Sequence, residues 1–573
     1  MRDGKRSWVA LVLASLFLVG IAPGCGVSWG ISGAGPLAVR AGYTATSGQA
    51  DSVLDGHSLT IAQVISVARG APIIIPAAVM DRVDHSFQLL VEAAKEDKPI
   101  YGLTRGVGEN KDKTIFQGGK LDEHARHLSE GFNANLLRVQ SAAVGPPVSR
   151  EIIRAAMVIR LNTMLIGHTG VEKQVVTALE AFLNKGITPL VPSKGTVGEA
   201  DIDILSHVGL ALIGEGNVLY AGRSMTAAQA LRSADLAPIV PFGKDALSIF
   251  SSNAYSAAIA VFAADDARRM LETARHVFAL SLEGLNGNVT PFLPTVQKVR
   301  AFPGQRSAAD QILSDLQGSY LWSTSTTRAL QDPLSYRTAS QVFGSADAAL
   351  NTLESDLTVQ INTADDNPTV VLGAVPPPNA TAQERSYYVN GNGWVGAVIP
   401  TANFEPLAWV LQLESLGIAL VHVSSTSVER IFRLDTPEFT GLSRFLSPDN
   451  VSIAFAAIQK IPADLDTENR DLANPVSTSS IPVAGDIEDT ATNAAEAATH
   501  VSTIVDNAFQ ILAVELIHAA QAVNLRQRAN PNLALGRGTR TLLDAYRSRV
   551  PFLDKDRILS TDIQKSYEFL QTL

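Results

Sequence analysis

Long alanine-rich stretches with apolar residues at helical spacing constrain this 573-residue chain more than any other feature. From Asn507 to Arg526 the run Asn-Ala-Phe-Gln-Ile-Leu-Ala-Val-Glu-Leu-Ile-His-Ala-Ala-Gln-Ala-Val-Asn-Leu-Arg repeats that spacing over about five turns. Residues 404–428 form a second long example. Residues 151–161 form a shorter one, with Arg154 and Arg160 expected off its apolar face. Helices this long and this rich in small side chains approach closely and suit a bundle. Strand-like runs, Thr369-Val370-Val371-Leu372 and Ser386-Tyr387-Tyr388-Val389, are few and short. Aromatic residues make up only 6% of the chain, which favours helices over a β-sandwich. No fixed-period repeat is visible. The expected fold is mainly α, a long-helix bundle.

The N-terminus differs from the rest. Arg2, Lys5 and Arg6 precede an apolar run from Trp8 to Ala22 and then Pro23-Gly24-Cys25. A basic start, a short apolar core and small residues at its end read as a secretory signal. The run falls short of the roughly 20 apolar residues that a bilayer span takes. Cys25 is the only cysteine and sits where a bacterial lipoprotein signal places its lipidated residue. A lone cysteine excludes an internal disulfide framework. Residues 26–55, rich in Gly, Ser, Ala and Thr, read as a flexible leader. The expected organisation is a signal peptide of lipoprotein type over 1–25, the leader over 26–55, and one continuous helical domain over 56–573. No further run is expected to reach the length of a membrane span. Export follows, to the periplasm or to a lipid anchor. A net charge of −10 without long basic runs argues against a nucleic-acid partner.

The chemistry is concentrated in residues 191–216, Val-Pro-Ser-Lys-Gly-Thr-Val-Gly-Glu-Ala-Asp-Ile-Asp-Ile-Leu-Ser-His-Val-Gly-Leu-Ala-Leu-Ile-Gly-Glu-Gly. Further motifs are Tyr101-Gly102-Leu103-Thr104-Arg105-Gly106-Val107-Gly108, Asn135-Leu136-Leu137-Arg138-Val139-Gln140-Ser141-Ala142 and Gln331-Asp332-Pro333-Leu334-Ser335-Tyr336-Arg337. Asn362-Thr363-Ala364-Asp365-Asp366-Asn367-Pro368, Asn403-Phe404-Glu405, Val428-Glu429-Arg430 and Ile487-Glu488-Asp489 follow. Together, and in this order, they resemble the aromatic amino acid ammonia-lyases, which include the histidine, phenylalanine and tyrosine lyases. The resemblance implies a helical bundle of the ammonia-lyase and fumarase-like type, an amino-acid substrate, and a homotetramer with active sites built from several chains. It also implies an electrophile, methylidene-imidazolone, formed when an Ala-Ser-Gly triad cyclises and loses water.

Carried over residue by residue, the resemblance gives Tyr101 the role of the base that removes the β-proton. Arg337 becomes the clamp for the substrate carboxylate, a task that suits a planar guanidinium. Gln331, Asn367 and Phe404 line the substrate, Gln140 holds the selectivity position, and Glu488 meets the amino group or handles a proton. A tyrosine is a poor base at neutral pH, so a nearby positive field is expected to lower its pKa.

The departures all surround the electrophile. Glu199-Ala200-Asp201 stands where the triad belongs, one residue short and without its serine and glycine. Thr196-Val197-Gly198 carries valine at the dehydrating position. Ser251 replaces an asparagine of the family, with Asn253 two residues on as a partial substitute, and Leu334 replaces a tyrosine. Methylidene-imidazolone is therefore not expected, and no other cofactor is. Thr46-Ser47-Gly48 resembles a cyclising triad but lies in the leader, far from every other motif. Glu199, Asp201 and Asp203 read either as acids favoured at a helix amino end or as carboxylates, or a bound cation, in place of the electrophile. They lack metal-ligand spacing with a second histidine, so no metal is expected. Two functions remain open: an exported lyase that abstracts a proton and eliminates without methylidene-imidazolone, and a ligand-binding protein that kept the pocket and lost the chemistry.

Overall fold

A computed structural model describes residues 52–119 and 121–573. The signal segment with Cys25, Thr46-Ser47-Gly48 and nearly all of the leader lie outside the described residues. Seven helices frame the molecule: α1 (Glu123–Gln140), α2 (Arg150–Leu165), α3 (Ile202–Leu212), α4 (Ala254–Leu285), α5 (Ala339–Gln360), α6 (Leu407–Leu434) and α7 (Ala494–Ala529). α7 packs along α4, α6 along α7 and α5 along α6, while α2 lies on α4. Alanines set these approaches. Ala257, Ala260, Ala263, Ala264 and Ala267 of α4 and Ala513, Ala519, Ala520 and Ala522 of α7 are all buried. A methyl on Gly284 would stand 3.1 Å from that of Ala522. The mainly α, long-helix bundle expected from the sequence is the fold observed.

Three helical segments, Asp245–Leu285, Leu407–Leu434 and Ala494–Ala529, are long and apolar enough to cross a membrane, which the sequence reading did not anticipate. Their most apolar windows are 100%, 44% and 83% buried within the protein. The bundle interior thus takes the place of lipid for α4 and α7. α6 leaves Leu407, Leu411 and Ile418 exposed along one side.

The arginines of α2 also depart from expectation, because Arg154 and Arg160 are both buried. Arg154 donates to the carbonyls of Val67, Ala68 and Leu183. Arg160 donates to the Ser248 carbonyl and forms ion pairs with Asp365 at 3.0 Å and Asp366 at 2.8 Å. Buried charge is tolerated where partners satisfy it, and here residues remote in sequence do so.

The small sheet contains β1 (Thr369–Leu372), β2 (Tyr388–Gly391) and β3 (Trp394–Ile399), antiparallel in the order β1-β3-β2. The second strand starts two residues later than the run at 386–389, because Ala382–Arg385 is helical and its turn includes Ser386. Strand β3 then delivers the chain to Thr401–Glu405, directly before α6.

Candidate active site

Four helix amino ends meet around the 195–201 loop. The loop itself leads into α3, Ser252-Asn253 into α4, Glu405-Pro406 into α6 and Thr492-Asn493 into α7. Asp201 N donates to the Ser252 carbonyl at 2.8 Å, and Asn493 N to that of Val197 at 2.7 Å. Asn253 Nδ2 donates to the Gly198 carbonyl at 2.9 Å, so Asn253 does hold this loop. Free amide groups and aligned peptide dipoles at helix amino ends favour negative charge. That explains how several carboxyl groups can crowd together here.

Asp201 does not cap α3 with its side chain. Fully buried, it clasps the loop to α4: Oδ1 accepts from Ser256 Oγ at 2.6 Å and Thr196 Oγ1 at 3.0 Å, and Oδ2 accepts from Ser256 N at 2.8 Å. Burial pushes its carboxyl up to about 6 against these bonds. Gly198, at φ +93°, is required: a methyl there would lie 2.4 Å from Thr492 Oγ1. Ala200 follows at φ +61°, a left-handed conformation that disfavours a side chain. Ala200→Gly is accordingly expected to raise stability by up to about 1 kcal/mol, measured as the urea midpoint, provided the loop keeps this geometry.

The tightened loop turns Glu199 inward, 8% exposed, with Oε1 lacking any hydrogen-bond partner. Its carboxyl hydrogen-bonds that of Glu405, and burial, followed by that bond and the Glu405 charge, pushes it up to about 8. At neutral pH Glu199 therefore keeps its proton. Glu488 adds a further negative charge close to Glu199. Burial and then the Asp203 charge raise the Glu488 carboxyl.

Tyr101 joins this group. Its hydroxyl accepts from Gly108 N at 2.7 Å, which fixes the phenol within the glycine-bearing loop. Burial raises its pKa, the Gly108 bond opposes that, and Glu488 raises it further, with only Lys111 contributing positive charge. The expected lowering field is therefore not met by the protein's own charges.

Asn367 Oδ1 accepts from Thr401 N at 2.9 Å and so ties down the approach to Phe404 and Glu405. Beneath it, Asp365 Oδ2 accepts from Ser252 Oγ at 2.7 Å and Asn253 N at 3.0 Å, joining the floor to the buried Arg160 ion pairs. Gln140 ends α1. Three residues on, Ala143 packs on Gly195, which also faces Asp203.

Arg337 and Gln331 lie elsewhere. Arg337 Nη1 donates to Gln331 Oε1 at 2.5 Å, and its buried Nε has no partner among the described residues. The adjacent Ser335 carbonyl accepts from Arg430 near the carboxyl end of α6. Glu405 precedes the amino end of that helix, so at 1.5 Å per residue roughly 37 Å separate them. Tyr101 and Arg337, expected as base and clamp, are therefore far apart in one chain and do not form one constellation within it. Exposed apolar residues flank both ends: Leu330 and Leu334 beside Arg337, and Ile481 and Ile487 beside Glu488.

Glu405 was not singled out by the sequence, although it ends the Asn403-Phe404-Glu405 motif. The 195–201 loop contains no Ala-Ser-Gly sequence, its Asp201 amide donates to the Ser252 carbonyl, and Glu199 turns inward where the triad is expected. Among the described residues no group of three or more His, Cys, Asp or Glu is arranged to hold a metal ion.

The chain is similar to known proteins along most of its length. A family model described as aromatic amino acid lyase matches residues 59–548. Histidine ammonia-lyase from Geobacillus thermodenitrificans is 33% identical over 516 residues, covering 89% of this chain and 95% of the relative. That from Treponema denticola is 34% identical over 523 residues, covering 90% and 96%. Among solved structures, the ergothioneine-degrading enzyme ergothionase from Treponema denticola, in complex with desmethyl-ergothioneine sulfonic acid, is 38% identical with a TM-score of 0.82, covering 91% of this chain and 99% of that one. Histidine ammonia-lyase from Trypanosoma cruzi is 26% identical with a TM-score of 0.78, covering 91% and 94%.

Proposed function

The chain belongs to the aromatic amino acid lyase family and is a carbon–nitrogen lyase, and on that premise we propose that it eliminates trimethylamine from a trimethylammonium betaine of the ergothioneine type without methylidene-imidazolone. One observation carries the reading: a carboxyl group, Glu199, stands where the cyclising triad is expected, bonded to Glu405 and within the field of Glu488. A primary amine has a lone pair with which to attack an electrophile. A quaternary ammonium has none, carries its charge permanently and departs as a neutral amine, so it needs no electrophile. Acidic side chains suit such a cation.

The chain's own residues then perform the reaction. Glu199, Glu405 and Glu488 hold the trimethylammonium group. Its fixed charge opposes the effect of Glu488 on Tyr101 and supplies the positive field that the phenol lacks in the free protein. The Tyr101 phenolate takes the β-proton, the C–H electron pair becomes the Cα–Cβ double bond, and the C–N pair leaves with trimethylamine. Bond making and breaking balance with no added oxidant or reductant. Arg337 and Gln331, from another copy in a homotetramer, hold the substrate carboxylate. The exposed apolar residues beside each half-site support that assembly, as does the partnerless Nε of Arg337. The basic and apolar N-terminus supports export, and Cys25 a lipid anchor.

Incubating the purified protein with ergothioneine, histidine and phenylalanine, and identifying the amine released, tests this function. Trimethylamine from ergothioneine, with no ammonia from the two primary amines, is the expected result. Ammonia from histidine at a comparable rate overturns it. Saturable stabilisation by ergothioneine with no product identifies instead a binding protein that kept the pocket.

A further inference from the structure

α7 spans the molecule, with Glu199 at its amino end. At its other end, about 50 Å further along the helix by its rise of 1.5 Å per residue, lies an open surface groove of about 630 Å³. Asn524, Gln527, Arg528, Pro531, Arg547, Pro551 and Phe552 line it. The volume falls in the range of small-molecule sites. Its chemistry is one-sided: two guanidinium groups, two carboxamides, an aromatic ring and two prolines, with no carboxylate among the lining residues.

The arginines are not explained by the fold alone. A basic residue at a helix carboxyl end ordinarily caps free carbonyls. Arg526 takes a comparable role here, donating to Gly284, Leu285 and Thr440. Arg547 is held rigidly, with Nε donating to Asn524 Oδ1 at 2.7 Å and Nη1 to the Val550 carbonyl at 3.1 Å, yet among the described residues its buried Nη2 has no partner. A desolvated, charged donor without an acceptor is costly and is normally satisfied. Burial holds the Arg547 guanidinium down to about 10, still charged at neutral pH. Arg528 lies flat on Phe552, its guanidinium carbon 3.7 Å from the ring centre, an arrangement that leaves the N–H edge free to donate. Asn524 Nδ2 donates to Gln527 Oε1 at 2.9 Å, which leaves the Gln527 amide nitrogen available as a further donor.

We infer that this groove binds a small molecule through an oxyanion, phosphate or carboxylate, bridged between Arg528 and Arg547. Arginine forks match both groups in a planar, bidentate manner, and the prolines and Phe552 offer an apolar wall to the rest of the ligand. The site is separate from the acidic catalytic end and independent of the substrate proposed there.

Isothermal titration of the full-length protein with inorganic phosphate and, separately, with citrate tests the inference. Saturable binding of at least one probe, one per chain, is expected. Arg528→Gln, an exposed position whose replacement leaves the fold intact, weakens it by at least about tenfold without altering turnover. Phosphate alone binding indicates a phosphorylated ligand, and citrate alone a carboxylate. Absence of saturable binding by both probes, or equal affinity in wild type and R528Q, overturns the assignment.

Discussion

Tyr101→Phe is expected to lower kcat for trimethylamine release by about 10²–10⁴-fold, the usual contribution of a positioned acid or base, with KM little changed. The substitution removes one hydroxyl and leaves the ring that packs against the core. Among the described residues that hydroxyl has one hydrogen bond, accepted from Gly108 N, so the loop loses a single tie. A substrate that still binds but does not react is the signature of a lost base. Steady-state kinetics decide, and a loss of less than tenfold would place the base elsewhere.

Nearly as large an effect is expected at Arg337. Replacing it by methionine removes the charged fork while keeping its length, and kcat/KM falls by about 10²-fold as a charge-assisted bidentate contact is lost. The separation of Arg337 from Glu405 along α6 adds a sharper expectation. When the inactive Tyr101→Phe and Arg337→Met proteins are unfolded, mixed and refolded together, some sites receive an intact tyrosine from one copy and an intact arginine from another. Activity then returns to a substantial fraction of wild type. Mixed tetramers that remain as inactive as their parents would contradict a site shared between copies.

The Glu199–Glu405 pair gives a pH dependence of defined sign. In the unfolded chain the Glu199 carboxyl ionises near 4.5, and in the folded protein near 8. The folded state thus keeps a proton that the unfolded state releases. This stabilising contribution is complete below about pH 4.5 and is lost as pH rises through 8. Asp201 and Asp245, raised by burial to about 6 and about 8, act in the same direction. The Tm of the ligand-free protein is expected to fall between pH 5 and 9, and to fall less in Glu199→Gln. Affinity for a trimethylammonium ligand moves the opposite way, rising as Glu199 ionises. Equal Tm slopes in wild type and variant would remove Glu199 from the titration.

Much of this was legible in the sequence, for identifiable reasons. The long helices announced themselves through spacing and alanine content, and the 507–526 run lies within α7. Where the helical reading failed, at Arg154 and Arg160, it had assigned charge to the solvated face. Their partners, the Leu183 carbonyl and Asp365 among them, come from segments that only folding brings near. Motif matching located Tyr101, Glu488, Asn367 and Arg337 one by one. It could not say that Arg337 stands at the far end of α6, because the order of motifs along a chain does not reveal how far apart they lie in the fold. Glu405 escaped notice for a related reason: its meaning comes from contact with Glu199, across the amino ends of two helices distant in sequence.

The central claim is that a carboxyl pair replaces the electrophile at residues 199–201. Intact mass spectrometry of a preparation that releases trimethylamine tests it most directly. The account predicts the full mass of the sequence from its processed N-terminus, with any excess accounted for by lipid on Cys25. A mass lower by two water molecules, mapped by peptide analysis to residues 195–201, would contradict it.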